Sequence, residues 1–109
     1  MEKNIVIDGK EYRLVANGAT PRKYRSLFRS DIFGGISTAV NAKGEILNSE
    51  VFENLAFCMA LQGGSVPEDM KIDDWLATLS SPLAIMEAAT QILELWTEKT
   101  TTTSIGKKE

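Results

Sequence analysis

The sequence predicts an α+β fold, mostly α: a short N-terminal β-hairpin packed on a bundle of four to five helices. Three observations carry that reading. Two short β-type runs, Asn4–Ile7 and Glu11–Val15, flank an Asp8-Gly9 pair, a strong two-residue turn signal because both turn positions need positive φ. Apolar residues downstream recur at helical rather than alternating spacing. Two helix starts, Thr20-Pro21 and Ser81-Pro82, put a capping hydroxyl before a proline, whose missing N–H costs nothing in a first turn.

The hairpin (4–15) is too small to stand alone in water and must pack on helices. A first helix over about 21–33 follows, with Thr20 as N-cap. Its Tyr24, Leu27, Phe28 and Ile32 fall on one face. Gly34-Gly35 interrupts the pattern, and Ile36 to Val40 adds at most a turn or two. Residues 41–48 read as a loop. Ser49 is the expected N-cap of a helix over 50–62, with Glu50 and Glu53 near its positive end. This helix is apolar nearly all round, from Val51 to Leu61, the mark of a buried central helix. Gly63-Gly64 closes it. A short helix over 72–79 carries Trp75, Leu76 and Leu79 inward. The last helix spans about 82–98. Its stripe is Ile85, Ala88, Ala89, Ile92 and Trp96; Met86 and Leu93 widen it, and Leu83 and Leu95 lie off it. Residues 1–99 thus form a single globular domain, and 100–109 (TTTTSIGKKE) a flexible C-terminal tail.

Composition narrows the chemistry. The 109 residues, 43% hydrophobic and 25% charged, suit one modest core. Net charge is −3, without the basic excess of a typical nucleic-acid binder. The charge is unevenly spread. Residues 1–49 hold eight Lys/Arg and five Asp/Glu, whereas residues 50–109 hold four and ten. Unlike ends either neutralise each other within one molecule or favour self-association of copies. No apolar run approaches the ~20 residues of a membrane span, and no secretory leader is legible, so a cytoplasmic location without membrane partners is expected.

No catalytic constellation is legible. The chain has no histidine, the commonest general base and neutral metal ligand. The single cysteine, Cys58, sits mid-helix among apolar neighbours and reads as structural. The pairs Glu68/Asp69 and Asp73/Asp74 lack the further ligands that a cation site needs. Gly106-Lys107-Lys108 lacks the rest of a phosphate-binding loop. We therefore expect no enzyme activity, no cofactor and no metal.

Two features suggest partner binding. Arg22, Lys23, Arg25 and Arg29 cluster on the first helix, three of them in its first turn, where the helix dipole disfavours cations. They read either as a docking surface for an acidic protein segment (or for phosphate) or as a solvated face. Met86, Leu93 and Trp96 give the last helix more apolar width than one small core requires. They read either as part of a groove for an amphipathic helix or as ordinary core.

The stretches NIVIDGKEYRLVA and ATPRKYRSLFRSDIFGGI, over about residues 4–40, resemble the small tail assembly chaperones of long-tailed bacteriophages and prophages of Gram-positive hosts; IDDWLATL is compatible. The resemblance implies a non-enzymatic α+β or helical protein of the host bacterial cytoplasm. It would bind the long helical tape measure protein, help recruit the major tail (tube) protein, and leave before the virion is mature. Many such chaperones are made in two lengths by translational frameshifting near the end of the shorter product, with which the Lys107-Lys108 pair is compatible. Two alternatives stay open: a small nucleic-acid-binding regulator using the 22–29 helix, and a structural tail completion or connector protein.

Overall fold

The Asp8-Gly9 turn sets the geometry of everything N-terminal. In the computed structural model, which describes residues 2–106 and side chains as far as Thr97, both turn residues take positive φ, 58° and 78°. That is the mirror-image turn whose twist matches a right-handed hairpin. It joins β1 (Glu2–Ile7) to β2 (Lys10–Val15) in antiparallel register, Ile7 opposite Lys10 and Ile5 opposite Tyr12. Alternation buries Ile5, Ile7, Tyr12 and Leu14 on one face and leaves Asn4, Val6, Glu11 and Arg13 on the other.

Five helices follow among the described residues: α1 (Thr20–Phe28), α2 (Ile32–Ala39), α3 (Ser49–Gln62), α4 (Ile72–Ala77) and α5 (Ala84–Gly106). As the sequence suggests, α3 is central. Residues 55–60 are all buried, and α3 packs against β2, α1, α2, α4 and α5. The hairpin straddles two helices: β1 packs on α5, and β2 on α3. Beneath it, Trp75 from α4 meets Tyr12 edge-on and lies 5.6 Å from Phe57.

Several boundaries differ from the expected ones. The first helix ends at Phe28 rather than near 33, because Arg29 adopts a left-handed conformation (φ 55°) that closes it. Asp31 then caps a separate helix, α2, through Phe33 N–H, and Gly34-Gly35 lies inside that helix. Gly35 faces Val51 of α3 there, where an added Cβ would make an ordinary 3.5 Å contact. Thr20 is not the cap of α1; Ala19 occupies that position without a side-chain bond. Thr20 is buried instead, its hydroxyl accepting from Asn17 N–H and donating to Gln62. Asn48, not Ser49, caps α3, accepting from Glu50 N–H. Leu95 belongs to the core, while Trp96 lies at its margin. Finally, α5 continues to Gly106, past the expected end near 98 and into the segment expected to be a flexible tail; residues 107–109 lie outside the described residues.

Two long-range clasps fix the hairpin. At its tip, the Asp8 carboxylate accepts from both the amide and the hydroxyl of Ser80 (2.9 and 2.6 Å). Those bonds favour the ionised form and hold the Asp8 pKa below the usual aspartate range. Along β2, the Ser65 hydroxyl accepts from Arg13 N–H (2.7 Å) and donates to Arg13 C=O (2.9 Å). The Arg13 guanidinium also reaches Gly63 C=O and pairs with Glu2.

Candidate functional site

The four sequence-predicted cations fall on α1 and its end. Arg22 and Lys23 lie in the first turn, which has no acidic residue to offset them. Arg25 is in the last turn rather than the first, because α1 is only nine residues long; there a cation suits the dipole. Arg29 is the left-handed residue that closes the helix. All four are exposed. Among the described residues the one ion pair is Arg13–Glu2, so none of these cations is neutralised by a carboxylate. The helix stays in place because its opposite face is anchored. Tyr24 is 2% exposed and packs on Phe28, its phenol pKa raised by burial and partly restored by a bond to Asn54.

Met86, Leu93 and Trp96 line one flank of α5, each half-buried. Leu93 and Trp96 pack on the core. Trp96 also meets Phe33 of α2, ring centroids 5.5 Å apart. Phe33 is 59% exposed, so the pair presents an aromatic surface to solvent where α2 and α5 converge. Sequence reasoning missed Phe33: the helix was expected to end there, and only α2's separate start turns its ring toward α5. No hydrogen bond, ion pair or ring contact joins the basic group to the α5 flank among the described residues.

Between α1, α2 and α3 lies a cleft of about 580 Å³. Its lining includes Tyr24, Phe28 and Val51 together with Asp31, Glu50 and Asn54. Close by in sequence, Glu53 is half-buried; burial and the neighbouring Glu50 raise its pKa.

The remaining reactive group is sealed. Cys58 is fully buried, its pKa pushed up to about 12 by burial despite the pull of Lys23. At neutral pH it is a thiol, which is neither a nucleophile nor a metal ligand. Among the described residues no group of three or more His, Cys, Asp or Glu could hold a metal ion, and no helix is long and apolar enough to cross a membrane.

Fold and surface together define a small α+β domain in which a hairpin rides on a helical body. Its distinguishing chemistry lies outside the core, as uncompensated cations on α1 and an aromatic pair between α2 and α5. Comparison with protein families, with curated proteins and with solved structures finds no match.

Proposed function

We propose that the chain is a tail assembly chaperone of a long-tailed bacteriophage or prophage. In this reading it acts without catalysis in the host bacterial cytoplasm. It holds the tape measure protein soluble, recruits tail tube subunits, and is left behind when the virion matures. The observation that carries the reading is the Phe33–Trp96 pair with Leu93 and Met86 alongside. Apolar side chains at helical spacing and open to solvent suit the apolar face of a partner helix. The particular partner comes from the resemblance of residues 4–40 to these chaperones. Arg22, Lys23, Arg25 and Arg29 supply a charged surface that would speed capture of an acidic stretch.

Co-expression with the tape measure protein of the same phage tests the proposal. The wild-type chain should bring it into the soluble fraction and co-purify with it. A Phe33→Ser/Met86→Ser variant should retain roughly a tenth or less of the bound partner, equivalent to about 1.4 kcal/mol or more. A tape measure protein equally soluble with and without the chain would end the reading.

The unpaired cations on α1 keep the nucleic-acid regulator as a second reading. Four phosphate contacts would give log K a slope of roughly −3.6 against log salt on duplex DNA. Tight duplex binding with that slope, lost in Arg22→Ala/Arg25→Ala, would favour it over the chaperone.

A further inference from the structure

We propose that the free edge of β1 is a second docking site, and that its occupant is an extended segment of another protein carrying Lys or Arg at alternate positions.

The parity of the hairpin shows which backbone groups are free. In an antiparallel pair, alternate residues turn their N–H and C=O toward the partner strand and the others turn them away. A two-residue turn makes Ile7 and Lys10 a hydrogen-bonded pair, so Ile5–Tyr12 and Lys3–Leu14 are bonded pairs as well. Arg13 must then point its backbone away from β1, and it does: both its N–H and its C=O are taken by Ser65. On β1, by the same parity, the outward groups belong to Glu2, Asn4 and Val6. Among the described residues, nothing bonds to them. All three residues are exposed, and Val6 is an exposed valine in a strand without proline. Such an edge is a template for another strand unless it is covered or charged. The edge of β2 is blocked at Arg13, and the edge of β1 is open.

The surroundings select the occupant. Going round α5, the Leu93–Trp96 flank faces α2, and the buried stripe faces α3 and β1. Helix α2 packs on α3 and not on the hairpin. The flank beyond the buried stripe, on the hairpin side, therefore carries Glu87, Gln91 and Glu94, all exposed. Neither carboxylate has a cation partner among the described residues. A strand added to β1 would place every second side chain over this flank, where Lys or Arg meets opposite charge and Asp or Glu meets like charge. Its other side chains would lie beside Val6 and favour β-branched residues. A second copy of this chain does not fit. Because β1 rests on α5, two-fold pairing of β1 edges would drive two copies of α5 into the same space beneath the joined sheet. This site lies on the opposite flank of α5 from Phe33 and Trp96, so it stands independently of the surface proposed to hold a helix.

The test uses two synthetic peptides, one alternating lysine with valine and one alternating glutamate with valine, titrated into the full chain. The lysine peptide should slow amide hydrogen exchange at Asn4 and Val6 and leave Glu11, on the far edge, unchanged. It should bind at least about tenfold more tightly than the glutamate peptide. Asn4→Pro removes an outward N–H without touching the β1–β2 ladder and should abolish binding. Glu87→Lys/Glu94→Lys, on an exposed flank that the fold does not use, should reverse the peptide preference. Equal binding of the two peptides, or protection that survives Asn4→Pro in a folded protein, would overturn the proposal. So would a concentration-dependent doubling of mass without peptide that Asn4→Pro abolishes, because it would show that the edge pairs copies.

Discussion

The two edges of the hairpin are held in opposite ways, β2 bonded through Arg13 to Ser65 and β1 exposed to solvent. At the β2 edge, backbone meets backbone. Gly63 approaches Arg13 so closely that an added Cβ would sit 2.0 Å from the Arg13 carbonyl oxygen, and Ser65 satisfies the strand's outward groups there. At the β1 edge, Glu2, Asn4 and Val6 meet solvent. The same short hairpin is thus welded on one side and open on the other. The fold invests its tightest fit where β2 joins the central helix α3, and leaves its unsatisfied groups where nothing structural depends on them.

Mutations at the closed edge should break this contrast most sharply. Gly63→Ala should destabilise the protein by roughly 3 kcal/mol, near the top of the overpacking range, because the clash is with backbone and cannot be relieved by a rotamer change; urea denaturation would measure it. Ser65→Ala removes the donor and the acceptor that serve Arg13 without creating a clash. It should cost about 1 kcal/mol, discounted for partial solvent access, and should speed amide exchange at Arg13 while Asn4 stays as it is.

The smallest effect concerns the hairpin tip. The folded Asp8 pKa is depressed by its bonds to Ser80, so the ionised carboxylate is the form the native state prefers. Its contribution is fully present above roughly pH 4, the ordinary aspartate value. It is lost as pH falls through the lower folded value. Asp8→Asn keeps an Asn-Gly turn of the same type but removes this acid-side loss. The urea midpoint of the variant should therefore fall less steeply with acidification than that of wild type.

The contrast also marks what local reasoning can see. The Asp8-Gly9 turn, the alternation of Ile5, Ile7, Tyr12 and Leu14, and the all-round apolar character of α3 are short-range patterns, and each was legible. The caps were half-legible. Proline pointed to the start of α1, but Thr20 is drawn inward by Gln62, 42 positions away, and so does not serve as a cap. Arg29 carries no glycine-like signal, so the break between α1 and α2 was hidden, and with it Phe33. The clasp of Ser65 on Arg13 spans 52 positions. A serine after two glycines reads as an ordinary loop until the strand it touches is in place. Of the seven residues picked from the sequence for binding, all lie at the surface or at its margin. The long-range pairing of Trp96 with Phe33 could come only from the fold.

The straddling of α3 and α5 by the hairpin has a consequence for synthesis. The hairpin leaves the ribosome before the helices it rests on, and the Asp8 side chain finds Ser80 only 72 positions later. At roughly 5–20 residues per second, a nascent chain carries an unsupported pair of β-strands for several seconds before its floor arrives. During that wait, a sticky strand in one unfinished polypeptide can find another on the same message. Slowing translation between the codons for residues 15 and 84 should therefore lower the yield of native protein more than the same delay placed after residue 97.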